Sequence, residues 1–416
     1  MAIINRIVVV GAGPAGMMAA LRASELGQEV KLIEKNPVPG KKLLLSGHGR
    51  CNLTNTCDLE LFLKRFGANG QFLRDAFKKF FHQDLIAFFE KRGLRMKVER
   101  QMRVFPVTDK SISICQLLHK ELLKNKVKLL LRHRVKDIVL RDKRVRGVIL
   151  GDNSVLTADR VILATGGASY AFTGSDGKAI ELARNLGHRV VALSPGLVPL
   201  VARQGIPRLL EGLTLKNIRL KFCNGKREII SDIGEMMFTG SGISGPLILA
   251  LSGSILDWLK TPQAAVHLEI DLKPALSHEQ LHARLLREFQ LNPKKALKNV
   301  LKSMLPKRLV DVFIEAAKIN PVKLVSYVTQ GERASMVSLL KAFRLDIIGT
   351  LPLEEAMVTR GGVSLKDINP RTMESRIIKG LYFAGEMIDV DADTGGFNLQ
   401  AAFSTGYLAG ESASLN

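Results

Sequence analysis

The stretch Asn5-Arg6-Ile7-Val8-Val9-Val10-Gly11-Ala12-Gly13-Pro14-Ala15-Gly16 decides the fold. Its apolar, β-branched half suits a strand buried on both faces. The strand stops on glycines, a helical pattern follows to Leu26, and Gly27 stands where a helix ends. A second strand runs from Glu29 to Ile33 and closes on Glu34, with Lys35 after it. A strand, a glycine turn that opens a helix, and an acid closing the next strand make the dinucleotide-binding βαβ unit. Gly11 permits the tight turn, Gly13 lets a pyrophosphate approach the backbone, and Gly16 lets helix and strand pack closely. The first helical turn, with Pro14 and Ala15, offers N–H groups and partial positive charge to phosphates, and Glu34 suits a ribose diol. Gly240-Ser241-Gly242-Ile243-Ser244-Gly245 matches the same spacing, but proline follows and no acid-terminated strand comes after. It is read as a loop.

Two distant segments separate FAD from NAD. Leu163-Ala164-Thr165-Gly166-Gly167 ends a strand with small residues where the chain passes a ligand. Tyr382-Phe383-Ala384-Gly385-Glu386 ends another, followed by Asp389 and by Gly395-Gly396-Phe397-Asn398-Leu399-Gln400 opening a helix. A second helix N-terminus suits a long cofactor whose far end also gathers negative charge, as reduced flavin does. FAD is therefore the expected cofactor.

Around this frame, helical patterns cover 58–93 and 110–125, and β-rich sequence covers 127–164 with a turn at Arg141-Asp142-Lys143. Proline and glycine multiply from Pro195, and short alternating strands follow. The expected organisation is an α/β fold. Its Rossmann-like FAD domain is split between 1–194 and 351–416, with an inserted β-barrel at 195–276 and 331–350. A helical subdomain occupies 277–330. The apolar run from Ile243 to Leu259 is shorter than a confident membrane span and is expected to be one buried helix. Cys51, Cys57, Cys115 and Cys223 form no disulfide framework, and no leader or metal motif is visible, so a cytoplasmic, metal-free protein is expected.

The run Gly40-Lys41-Lys42-Leu43-Leu44-Leu45-Ser46-Gly47-His48-Gly49-Arg50-Cys51-Asn52-Leu53-Thr54-Asn55 resembles the signature of the BaiN/RdsA family of flavoproteins. So do the closing segment from Gly385 to Ala402, Met236–Thr239 with Gly242–Pro246, and Thr359-Arg360-Gly361-Gly362-Val363. His48 and Gly240 depart from the pattern, as the family usually has a small residue at the first and often histidine at the second. The resemblance implies the FAD fold above, with Lys42, Ser46, Gly47, Arg50, Asn52 and Val135 joining the cofactor contacts. It further implies reduction of an activated C=C bond, in a bile-acid dienone or in ribosomal RNA, where dihydrouridine is made.

Such a reduction needs a hydride to the β-carbon, a proton to the α-carbon, and donors on the carbonyl oxygen. Arg50 suits the carbonyl, and Cys51 or His48 the proton. Alternatively Cys51 is a small buried residue beside the flavin. NAD(P)H is the expected reductant, without a second dinucleotide domain to hold it. A dithiol reductase using Cys51 and Cys57 is disfavoured because five residues separate them. Charge selects among substrates. Lys and Arg number 61 against 39 Asp and Glu, a net +22. Basic residues gather at Arg284, Arg287, Lys294, Lys295, Lys298, Lys302, Lys307 and Arg308, with Glu288 among them. A bile acid does not need this charge, whereas a polyanion does. The expected activity is uracil reduction in ribosomal RNA. The alternatives are a small-enone reductase and a flavin-holding RNA-binding protein without turnover.

Overall fold

The computed structural model describes residues 4–260 and 265–415 and resolves into two compact units, Met1–Gly196 with Pro352–Asn416, and Leu197–Leu351. In the first unit five strands form one parallel sheet in the order Leu381–Phe383, Arg160–Leu163, Arg6–Val10 (β1), Glu29–Glu34 (β2), Lys128–Leu131. β1 is central, with Val9 opposite Leu32 on one side and Ile162 on the other. Ile7, Val8 and Val9 are almost wholly buried, which explains their unbroken apolar character. The chain leaves β1 through Pro14–Glu25 (α1) toward β2, while the strand on the other side of β1 arrives much later. This reversal opens a crevice at the carboxyl end of β1, where ligands bind in open α/β sheets.

Helix α1 packs against the C-terminal helix Phe397–Leu415. Two glycines make that contact close. A Cβ on Gly406 would lie 2.2 Å from the Ala15 carbonyl oxygen, and one on Gly410 would lie 2.4 Å from that of Ala19. A three-stranded antiparallel sheet, Val135–Arg141, Arg144–Leu150 and Val155–Thr157, belongs to this unit as well. Its first turn places Asp142 and Lys143 at φ 54° and 53°, the left-handed pair of a tight hairpin.

The second unit is an antiparallel barrel. Strands Thr214–Asn224, Gly234–Phe238, Gly242–Ser244, Leu200–Ala202, Phe343–Thr350 and Val266–Asp271 pair in that order, and the last pairs back onto the first. Val266, Leu268 and Ile270 point inward in strict alternation. On Thr214–Asn224 a bulge at Asn217 (φ 54°) turns both Leu215 and Ile218 inward.

Helices His278–Leu291, Leu297–Leu301, Lys307–Ala316 and Gln330–Lys341 also belong to this unit. The last corrects an expectation, because 331–341 is helical and not barrel strand. Its start is a capping box in which Thr329 and Glu332 serve each other's backbone amides. A second correction concerns Ile243–Leu259. Gly245, at φ 98°, divides the run into the barrel strand Gly242–Ser244 and the helix Pro246–Leu259, which buries only one side. Gly240 and Ser241 form the hairpin turn before that strand, closed by Thr239 N–H donating to the Gly242 carbonyl at 2.9 Å. No described helix is long and apolar enough to cross a membrane.

Candidate cofactor and active site

The three glycines of the first turn have three different surroundings. Gly11 sits at φ 98°, and a Cβ there would meet the Ala164 carbonyl oxygen at 2.6 Å. A Cβ on Gly16 would lie 1.8 Å from the Gly11 carbonyl oxygen. Gly13 has an ordinary φ of −81°, and a Cβ there would meet nothing within 4 Å. Gly11 and Gly16 are thus demanded by the protein's own packing, while Gly13 borders open space at the start of α1. Pro14 occupies the first helical position, where a missing N–H costs nothing.

Glu34 binds the turn to the end of β2. Its carboxylate accepts from Ala12 N–H at 2.9 Å and from both the backbone and side-chain nitrogens of Asn36 at 2.8 Å. Beyond it lies a cavity of about 400 Å³ lined by Lys35, Asn36, Arg132, Arg134, Phe172 and Asp176. Lys35 pairs with Asp176 at 2.8 Å, and Arg134 reaches the same carboxylate at 3.4 Å. Val135, next to Arg134, is half-buried.

The loops after the neighbouring strands are joined by one polar cluster. Lys42 Nζ donates to both Glu386 oxygens, at 2.9 and 2.8 Å, and to Ser169 Oγ at 2.8 Å. Glu386 also accepts from Thr359 N–H at 2.8 Å, while Thr359 Oγ1 accepts from the Ala168 and Ser169 amides. Gly167 packs against Thr359, and Thr165 Oγ1 donates to Met387 Sδ at 3.9 Å. A Cβ on Gly385 would lie 2.9 Å from Ala15 Cβ, so the returning chain lies on the first turn of α1. Gly396, at φ 95°, presses on the Thr54 backbone, and the Asn52 amide holds it by accepting from Gly396 N–H at 3.1 Å. Asn55 donates to the Gly395 carbonyl at 3.3 Å, and Asn398 closes its own loop onto Ala392. Asp389 accepts from Asn69, and burial pushes its carboxyl above the ordinary range. Phe397 and Gln400 turn into the core, the first against Phe62 and the second toward the Phe80 carbonyl, while Leu399 is half-buried.

The loop after Gly40 is held in an unusual backbone. Gly47, His48, Gly49 and Cys51 have φ of 57°, 56°, 82° and 61°. Left-handed non-glycine residues cost of order 1 kcal/mol or more each, so the surroundings must fix them. Arg50 does so by donating to Asp109 at 2.9 and 2.5 Å and to Glu99 at 2.5 and 3.3 Å, its guanidinium 4.3 Å over the Phe105 ring. Lys97 joins at 2.6 Å from Asp109. Ser46 Oγ donates to the Leu43 carbonyl at 2.6 Å, His48 is exposed, and Cys51 is fully buried. Burial pushes the Cys51 thiol up to about 12. All four cysteines are free.

The structure thus joins the 40–52 loop to both ends of the chain, with Gly40 N–H donating to the Ala12 carbonyl at 2.9 Å, Lys42 to Glu386, and Asn52 accepting from Gly396 N–H. Asn36, Ser169, Glu99, Asp109 and Asn69 are absent from the expected set. Glu99 and Asp109 carry no sequence signal, because they meet Arg50 only through folding. The model of HI0933-like proteins, described as a Rossmann domain, matches residues 5–412. The chain belongs to the HI0933-like family. It is 32% identical over 412 residues to the 3-dehydro-bile acid delta(4,6)-reductase of Clostridium scindens, covering 98% of this chain and 99% of that one. It is 30% identical over 412 residues to the ribosomal RNA dihydrouridine synthase of Haemophilus influenzae, covering 98% of each. The fold is also that of a 3-ketosteroid-delta4-(5alpha)-dehydrogenase from Rhodococcus jostii (TM-score 0.56, 18% identity, 99% of this chain and 97% of that one). HI0933-like proteins of the BaiN/RdsA type are FAD-dependent oxidoreductases, and this chain is one of them. Its residues fit FAD, with open space at Gly13, an acid at the end of β2, and a second glycine turn at Gly395-Gly396.

In this HI0933-like chain the basic run from Arg284 to Arg308 lies on the helices His278–Leu291, Leu297–Leu301 and Lys307–Ala316 and in the turns between them. Arg287, Lys294, Lys295, Lys302, Lys307 and Arg308 are exposed, and Arg284 and Lys298 are half-buried. Arg308 is committed locally, donating to the carbonyls of Glu211 at 2.8 Å and Leu209 at 3.1 Å. Among the described residues no group of three His, Cys, Asp or Glu is placed to hold a metal.

Proposed function

We propose that the protein reduces the C5=C6 bond of a uracil in ribosomal RNA, making dihydrouridine, with NAD(P)H as electron source and the cytoplasm as its compartment. The single observation that carries this choice is the charge. The identities to the bile-acid reductase and to the RNA enzyme are 32% and 30%, too close to choose between them. A net +22 favours the polyanion.

FAD, when bound and reduced by NAD(P)H, would supply the hydride that adds to C6 of the uracil. The α1 N-terminus and Gly13 would hold the pyrophosphate, Glu34 and the adjoining cavity the adenosine end, and the Gly395-Gly396 turn would offer N–H groups to the flavin. Lys42 and Glu386 brace the loops between these points. His48, exposed on the 40–52 loop, delivers the proton to C5, while Cys51 is fully buried and packs inside the same loop. Arg50 holds the left-handed loop that carries Cys51, and its bond to Glu99 is the one a substrate carbonyl has to displace. His48, on the exposed side of that loop, meets the substrate instead of the cofactor.

Dihydrouridine in ribosomal RNA from a deletion strain and its parent tests the reading. Loss of one dihydrouridine on deletion supports it, and unchanged dihydrouridine contradicts it. The 32% identity favours a small conjugated enone as the second reading. In that case the reduced protein is reoxidised by the enone and not by RNA. Flavin that keeps its colour under anaerobic NADPH and NADH marks the third reading, a protein that binds RNA without turnover.

A further inference from the structure

The helical part of the second unit carries a surface that neither the FAD site nor barrel packing uses. Tyr327 is 70% exposed there, and Leu291, Val322 and Leu324 are 72%, 60% and 38% exposed. Hydrogen bonds tie this apolar group to the lysine run. Residues 295–298 lie antiparallel to 321–325, with Ala296 bridged to Leu324. Val325 N–H donates to the Lys295 carbonyl at 3.0 Å, Leu297 N–H to Lys323 at 2.9 Å, and Lys298 N–H to Pro321 at 3.2 Å. Tyr327 follows Val325 by two residues, at most about 7 Å of chain. The turn Val325–Tyr327 also packs on the helix His278–Leu291. On that helix Arg284 and Arg287 line a groove of about 440 Å³ with Glu288 as its one acid.

We infer that this surface, centred on Tyr327 and flanked by Lys294, Lys295 and Lys298, docks an unpaired segment of RNA, with a base stacked on the tyrosine ring and the backbone along the lysines. The inference rests on the RNA reading above and adds to it a place and a mode. An exposed aromatic next to several lysines has the two parts that single-strand binding needs, since every base has a face to stack and every nucleotide a phosphate. A duplex hides its base faces and has no use for the ring. A protein partner fits less well, because lysine is depleted from protein–protein interfaces.

The test uses the full-length, flavin-loaded protein and a labelled twelve-nucleotide oligouridylate, with affinity followed by anisotropy over a range of KCl concentrations. Stacking on one aromatic ring accounts for roughly tenfold or more in affinity. Tyr327→Ala therefore weakens binding about tenfold at every salt concentration with the salt slope unchanged, and Tyr327→Phe restores it. Lys294→Gln with Lys295→Gln removes two phosphate contacts and makes the slope shallower by about 1.4. Bound-flavin absorbance and the urea unfolding midpoint are unchanged in all three variants, which shows that they fold. If Tyr327→Ala binds as the parent does, or a duplex of equal length shows the same tyrosine dependence, the inference is overturned. An unchanged slope in the lysine variant overturns it too. If the parent binds through this surface but forms no dihydrouridine, the RNA-reductase reading falls and the docking surface stands. If it forms dihydrouridine and the variants bind normally, the surface falls and the reading stands.

Discussion

Gly13 and Gly16 lie three residues apart and respond oppositely to one added methyl group. On Gly16 that group meets a carbonyl oxygen at 1.8 Å, so Gly16→Ala strains the strand–helix turn and lowers the urea midpoint even without cofactor. On Gly13 it meets nothing, at an ordinary φ, so Gly13→Ala keeps the midpoint of the cofactor-free protein. What it fills is the space assigned to the pyrophosphate. Gly13→Ala is therefore expected to fold normally and retain at most a tenth of the parent's FAD, read from visible absorbance after desalting. Cys51 gives a second expectation at this scale. Its thiol ionises near 9 in the unfolded chain and about 12 in the folded one, so the folded state binds more protons between those values. Stability is then fully present below pH 9 and falls above it, by as much as about 1.4 kcal/mol per pH unit. Urea midpoints of the parent should drop more steeply than those of Cys51→Ala over that range. Iodoacetamide at pH 8 should leave Cys51 unmodified in the folded protein.

Among the elements, the pairing of α1 with Phe397–Leu415 matters most, because it brings the end of the chain to the first glycine turn. Gly406 and Gly410 permit it. Alanine is the better helix former by about 1 kcal/mol, yet Gly406→Ala places a methyl 2.2 Å from the Ala15 carbonyl oxygen. The substitution is expected to lower stability by roughly 1–3 kcal/mol in urea unfolding. A rise in stability would mean that the helices do not touch there. Legibility differed among elements for physical reasons. β1, α1 and β2 were readable because buried parallel strands, glycine turns and terminal acids each leave a local mark. The helix Gln330–Lys341 was not, since Gly331 reads as a breaker, although Thr329 and Glu332 already spelled its capping box. The run Ile243–Leu259 misled because apolar content does not show that Gly245 needs a left-handed turn. At the site, Glu34 and Glu386 were legible from their strand ends. The clamp of Glu99 and Asp109 on Arg50 was not, because its parts lie some fifty residues apart.

At the scale of the whole molecule, the two units keep separate hydrophobic cores, one around Val9, Leu32 and Phe383, the other around Phe222, Leu268 and Phe313. The proposed FAD contacts all belong to the first unit. FAD binding should therefore raise the unfolding temperature of the first core, following RT ln(1 + [FAD]/Kd), and leave the second unmoved in calorimetry. Equal shifts in both would show that they unfold as one. The first core carries the cofactor, and the basic helices of the second are where this account places the RNA. The most direct measurement of the central claim is a single turnover. The flavin-loaded protein is reduced anaerobically with one equivalent of NADPH or NADH and mixed with unmodified ribosomal RNA. The account predicts that the flavin absorbance returns and that one dihydrouridine forms per flavin reoxidised. Flavin that stays bleached with RNA but recovers on adding a conjugated enone would contradict it.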